Sequence, residues 1–158
     1  MAVDYFLKLD GGIDGESVAD GHKNEIQILS WSFGGSQRSS VAGTGGSGAG
    51  KVDMSDISIM KTLDKASPKL LNSMATGAHI KTATLTAQKS GGKGPYLKID
   101  FGELFVTSVQ FSASSEIPTE SVSFSYNHIK VEYKLQDEGG TLKTGAQFEY
   151  DVKANKAT

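Results

Sequence analysis

Val3–Asp4–Tyr5–Phe6–Leu7–Lys8–Leu9 is the stretch on which the fold class turns. Val3, Tyr5, Leu7 and Leu9 share one phase of a two-residue period and Asp4 and Lys8 the other, as in a strand with one face against a core. A glycine-rich acidic loop runs from Asp10 through Gly15–Glu16–Ser17 to His22, and a second strand then leads to Ser30–Trp31–Ser32–Phe33. The same period recurs downstream. Lys81, Ala83, Leu85 and Ala87 alternate with Ile80, Thr82, Thr84 and Thr86, a β-branched ladder suited to a strand. Leu97, Ile99 and Phe101 share a phase that Phe105, Thr107, Val109 and Phe111 continue after Gly102–Glu103. Val122, Phe124 and Tyr126 alternate until Asn127–His128, after which Ile129, Val131, Tyr133 and Leu135 resume one step out of phase. A one-residue slip turns the apolar set to the other face, so a bulge or sharp bend is predicted near Asn127. Similar slips fall at Ile28/Leu29 and at Ser55–Asp56.

Such breaks suit sheets that curl. The reading is mainly β: a small curled two-sheet β-barrel in a single domain over 1–158, with one short α-helix over 68–76. Ser67 as N-cap, Pro68 in the first turn and Gly77 as left-handed terminator bracket that helix, and Leu70, Leu71 and Met74 give it an apolar stripe. Strands do not alternate with helices elsewhere, which excludes a doubly wound α/β fold. The stretch 34–51 is read as a long Gly-rich loop. Gly34 to Gly50 holds seven of the chain's 19 glycines and little that is apolar, too little for a core of its own.

Composition narrows the function. The 16 Lys and Arg residues against 18 Asp and Glu give a net charge of −2, without the basic excess that nucleic acid or an anionic membrane surface selects. The absence of cysteine removes disulfides and thiolate metal sites. No apolar run approaches the roughly 20 residues that span a bilayer, and the N-terminus lacks a basic segment followed by an apolar one, so no signal peptide is expected.

Several short motifs imitate chemistry and fail on context. Gly45 to Gly50–Lys51 approaches a phosphate-binding loop, but Val52 replaces the hydroxyl residue, and Val52–Asp53–Met54 opens a strand rather than a helix. Gly43, Gly45 and Gly48 match a dinucleotide pattern without its βαβ unit. Ser58 and Lys61 with Lys143–Thr144–Gly145 echo penicillin-recognising enzymes, yet in a strand residues three apart face opposite ways. Asp10, Asp14 and Gly15 begin like a calcium loop whose twelfth position is Gly21, not glutamate, so an acidic turn is expected. His22, His79 and His128 are scattered and read as structural. No catalytic residue, cofactor or metal site is expected, and the chain is read as a non-enzyme.

The order of residues resembles the haemolysin-coregulated protein (Hcp) family, tube-forming components of the bacterial type VI secretion system. Four stretches carry the resemblance: Asp4 to Phe33; Gly48–Ala49–Gly50–Lys51–Val52; Met60–Lys61 through Asp64–Lys65–Ala66–Ser67–Pro68 to Leu70; and Thr119–Glu120–Ser121–Val122–Ser123–Phe124. The resemblance implies hexameric rings that stack into a tube, expelled by a contractile sheath and carrying effectors in its lumen. The implied partners are further copies of the chain, the spike at the tube tip, the sheath and secreted effectors. The implied location is cytoplasmic until secretion. The resemblance also places the end of the domain near Phe148 to Val152, with no fused toxin domain expected.

Trp31 and Phe33 share a phase with Leu29 and read as core, so Ser30 and Ser32 point the other way. The family's ring architecture implies that Ser30 and Ser32 face the lumen and its cargo. It likewise implies that Gly43, Thr44, Gly45, Gly46, Ser47, Gly48, Ala49, Gly50 and Lys51 form an arm for ring stacking or subunit contact. Two alternatives are a dedicated paralogue acting mainly as effector chaperone or carrier, and a monomeric β-sandwich ligand-binding module.

Overall fold

The computed structural model describes residues 2–39 and 49–158. In chain order the elements are β1 (Val3–Leu9), β2 (Ile26–Ile28), β3 (Ser30–Ser32), β4 (Gly35–Ser39), β5 (Ala49–Met54), β6 (Ile57–Thr62), α1 (Ser67–Thr76), β7 (His79–Lys89), β8 (Leu97–Ser112), β9 (Thr119–Gln136), β10 (Leu142–Asp151) and β11 (Lys156–Ala157). A large antiparallel sheet runs in the order β11-β10-β9-β8-β7-β1-β2, and β6 joins it by pairing β9 on one side and β3 on the other. The sheet curls, but the expected barrel is not closed. The chain changes partner at Leu29, with β2 on β1 and β3 on β6, so no single ladder runs round. The slips at Ile28/Leu29 and Ser55–Asp56 fall between β2 and β3 and between β5 and β6, as expected.

The stretch read as a loop over 34–51 is corrected at its flanks. Gly35–Ser39 and Ala49–Met54 pair as a separate two-stranded sheet, with Gly35 opposite Met54. Gly35 permits this approach, since a Cβ there would lie 2.9 Å from the Met54 sulfur. Residues 40–48 lie outside the described residues.

One bend crosses three strands. Lys81 lies opposite Glu103, and Glu103 opposite Asn127, between pairs whose register is unshifted. On all three strands the buried set changes phase there: Ile80 to Ala83, Phe101 to Leu104, Tyr126 to Ile129. Glu103 has φ 50°, an unusual backbone for glutamate, and the Asn127 amide donates to its carboxylate at 3.2 Å. The predicted break at Asn127 is therefore one arm of a shared corner. The continuous phase read through Gly102–Glu103 is corrected: Leu104 and Val106 are buried, while Phe105 packs its ring on His79 at 4.0 Å. A register shift between Val106 and Ser108 then returns Val109 to the core.

The core is built from Leu7, Leu9, Ile26, Ile28, Ile57, Ile59, Leu85, Ile99, Phe101, Val122, Phe124 and Ile129, and α1 closes it with Leu70. Leu71, expected in the stripe, is exposed, and Ser73 takes a buried position instead. Phe6, on the polar phase of β1, is also buried, because the Asp10–Glu25 loop folds back over it. His22 stacks on Phe6 at 4.2 Å and 3°, with Nδ1 at 3.1 Å from Glu25 and Nε2 at 2.9 Å from Gln88.

Two of the family-like stretches meet in one buried polar node. Lys61, fully buried, donates from Nζ to Asp64 (2.8 Å), to the Thr62 carbonyl (3.1 Å) and to Ser67 Oγ (3.0 Å), and pairs with Glu120 Oε1 at 2.5 Å. The Ser67 hydroxyl donates to Glu120 Oε1 at 3.0 Å. Ser67 is thus not the N-cap. It is the first helical residue, and the Asp64 carboxylate accepts the Ala66 N–H at 2.9 Å instead. Gly77 ends the helix at φ 68°, as expected. The node ties α1 to β6 and β9, whose other face forms the site described next.

Candidate functional site

Around the core residues of β3, β6, β9 and the C-terminal half of β8, alternation turns a second set outward. Antiparallel register aligns that set in rows. Ser32, Ser58, Ser123 and Ser108 form one row; Ser30, Met60, Ser121 and Gln110 form the next; Thr62, Thr119 and Ser112 form a third. Between them run the core rows, Trp31–Ile59–Val122–Val109 among them. None of the outward positions bears a charge. Hydroxyls join across strands, Ser58 to Ser123 at 2.9 Å and Ser112 to Thr119 at 3.1 Å. At the margin the Thr107 hydroxyl donates to Asp56 at 2.7 Å.

The other half of the same long strands is different. Before the corner, the outward phase of β8 and β9 carries Lys98 opposite Glu132 and Asp100 opposite Lys130, and Glu149 of β10 lies opposite Lys130. Lys130 and Glu132 pair at 3.2 Å, and the hydrogen bond to Glu132, then its charge, holds the Lys130 ammonium above its usual range. One pair of strands therefore presents a charged, solvated surface on one side of the bend and a neutral one on the other.

The neutral face ends on strands with a single strand partner among the described residues, and α1 packs against one of them, β8. β8 pairs with β7 only as far as Phe105, so from Val106 to Ser112 its only strand partner among the described residues is β9. On the opposite side β3 has β6 as its only strand partner among the described residues. An edge of this kind is a template for another chain.

Ser30 and Ser32 are exposed and point away from the half-buried Trp31 and Phe33, as expected. Leu29, read with them as core, is 58 % exposed at the change of partner. Of the proposed contact arm, Gly43 to Gly48 fall outside the described residues, and Ala49, Gly50 and Lys51 belong to β5. Sequence reading missed Ser58, Met60, Ser108, Gln110, Ser121 and Ser123. Their signal was present locally in Ile57–Ser58–Ile59 and Ser121–Val122–Ser123–Phe124, but only strand pairing joins them to Ser30 and Ser32. Among the described residues no three His, Cys, Asp or Glu side chains converge as metal ligands, and no helix is long and apolar enough to cross a membrane.

Tyr126, at the inner side of the corner, donates to the Ser55 carbonyl at 2.9 Å. Burial, helped by the Asp56 charge, pushes its phenol up to about 12 from 10.0. A folded-state pKa above the unfolded one stabilises the fold fully below the unfolded value, and that contribution is lost as pH rises through the folded value. Urea titrations should therefore show stability falling between pH 10 and about 12 by at most ~2–3 kcal/mol. Tyr126→Phe should flatten that slope; an unchanged slope would assign it elsewhere.

The fold and the neutral face define a β-rich protein in which β3 and the C-terminal half of β8 each have one strand partner among the described residues. The sequence profile of the family described as "Type VI secretion system effector, Hcp" matches residues 6–133. Protein hcp1 of Pseudomonas aeruginosa is 38 % identical over 163 residues, covering 98 % of this chain and 100 % of that protein. The crystal structure of Hcp1 from Salmonella typhimurium superposes with a TM-score of 0.80 at 38 % identity, covering 100 % of both chains. A type VI secretion system effector from Yersinia pestis gives 0.76 at 32 % identity, covering 94 % of this chain and 100 % of its own. The chain belongs to the Hcp family of type VI secretion system proteins.

Proposed function

We propose that this chain is the tube subunit of a type VI secretion system. Copies close head to tail into a hexameric ring, rings stack into a tube, and the sheath drives that tube, tipped by the spike, out of the cell with effectors in its lumen. The role is structural, not catalytic. The observation that carries the reading is the neutral face bounded by two strand edges without a second strand partner among the described residues, at β3 and at Val106–Ser112, with α1 packed against β8. A repeated edge-to-edge contact closes into a ring when its rotation closes, and the neutral faces then line the bore. Apolar surface elsewhere supports contact between copies: Tyr133 (47 %), Leu135 (54 %) and Phe148 (47 %) are exposed where β9 and β10 run past the core. A groove of about 450 Å³ lined by Val52, Met54, Phe148 and Tyr150 lies beside them. In this reading Ser30 and Ser32 face cargo, and the 43–51 arm serves stacking or subunit contact.

The test is native mass by light scattering, with negative-stain images of the same peak. The expected particle has six times the 16.7 kDa chain mass and appears as rings. A monomer at high concentration would return the chain to the ligand-binding alternative. Removing 43–48 should leave single rings and abolish tube growth; loss of the ring itself would refute that division of labour.

A further inference from the structure

We infer that Met60 is the anchor of cargo recognition, and that the cargo surface it meets is uncharged and apolar at its centre. This deepens the tube reading and rests on it. Met60 is 42 % exposed, in the row Ser30–Met60–Ser121–Gln110, with a serine on the strand to either side. Folding does not call for an apolar residue there. The buried phase of β6 belongs to Ile57 and Ile59, and the positions on Met60's own phase, Ser58 and Thr62, are polar. A serine or threonine would continue the pattern. The thioether instead stands above short hydroxyl side chains, as the one large apolar group in the three rows.

Charge complementarity decides what it meets. A lysine or aspartate laid against these rows would lose hydration and find no opposite charge, so a charged patch is disfavoured. The carboxylates stand at the margins: Asp56 accepts from Thr107 at 2.7 Å, and Glu116 lies in the turn beyond Ser112 and Thr119. The rows on the other side of the corner carry Lys98, Asp100, Lys130 and Glu132, so the same two strands are neutral here and charged there. An unbranched thioether re-packs against irregular apolar shapes, which suits a bore that takes more than one cargo. Ring closure would repeat each weak contact around the bore and raise the avidity.

The test uses assembled full-length rings and two fluorescently labelled, designed three-helix proteins small enough to enter them. The two probes are identical except for one surface patch, aliphatic in one and alternating Lys and Glu in the other. Anisotropy titrations should show binding of the aliphatic probe only. Its affinity should change less than about threefold between about 0.1 and about 1 M NaCl, although the screening length falls from about 10 to about 3 Å. Met60→Ser should weaken binding about tenfold or more, and Met60→Leu should stay within about threefold of the native ring. Equal binding of the charged probe, loss of binding in salt, or Met60→Ser rings that bind unchanged would each overturn the proposal. Native mass is read on every sample. A native chain that forms no ring overturns the tube reading, which distinguishes that failure from a failure of Met60 alone.

Discussion

Replacing Lys61 by methionine is expected to destabilise the fold by about 3–5 kcal/mol, the usual effect of removing one partner of a buried ion pair. Lys61 is fully buried and serves Asp64, Ser67, the Thr62 carbonyl and Glu120 at once. Without its ammonium, the Glu120 carboxylate stays buried with the Ser67 hydroxyl as its remaining donor, and its Oε2 has no hydrogen-bond partner among the described residues even now. Asp64 is less affected, since it is partly exposed and still accepts the Ala66 N–H. For a domain of this size each kcal/mol moves Tm by roughly 2–4 °C, so a fall of about 10 °C is expected. Urea unfolding of the single variant and of Lys61→Met/Glu120→Leu separates the causes. The double variant should recover much of the loss, because an apolar pair leaves no orphaned charge. A single variant within about 1 kcal/mol of native would show that water or backbone relaxation solvates the node.

The second large effect is expected at Gly15. A Cβ there would lie 2.4 Å from the Glu25 carbonyl oxygen, 2.5 Å from the Ile26 Cα and 2.7 Å from the Glu25 carbonyl carbon, all backbone atoms that no rotamer change can move. The two arms of the loop are hydrogen-bonded across this point, from Gly15 N–H to Asn24 (2.8 Å), Ser17 N–H to Glu25 (3.1 Å) and Asn24 N–H to Ser17 (2.9 Å). Gly15→Ala must part the arms and so lift His22 from Phe6, at about 1–3 kcal/mol or more. Hydrogen exchange at the Ser17 and Asn24 amides should accelerate about tenfold or more, while β8 and β9 stay protected. Unchanged exchange at those amides would show that the arms separate without weakening the loop. Gly11, Gly12 and Gly21 differ in kind: each has positive φ and open space at the Cβ position, so a side chain there strains the backbone without a clash.

Much of the architecture was legible locally, for reasons visible in particular residues. Alternation on β1, the change of phase at Asn127 and the end of α1 at Gly77 follow from chain geometry within a few residues. The bend at Gly102–Glu103 was not legible. Glutamate has no preference for φ 50°, and Glu103 adopts it where Lys81 and Asn127 bend beside it. Ser67 misled as an N-cap for a similar reason, because its hydroxyl serves Lys61 and Glu120 rather than its own helix. Phe6 shows the same limit, since a loop that folds back can bury the polar phase of a strand.

By itself, the sequence determined the mainly β class, the position of the helix and the outward turn of Ser30 and Ser32, because period-2 alternation and turn chemistry act between near neighbours, while the order of its residues carried the resemblance to the Hcp family. Only the tertiary structure decided that Ser58, Ser123 and Ser108 continue the row of Ser32, that Met60 stands between Ser30 and Ser121, and that Lys61 meets Glu120. Those contacts join residues far apart in the chain through strand register, and register is settled when the apolar phases of β3, β6, β8 and β9 pack on a common core.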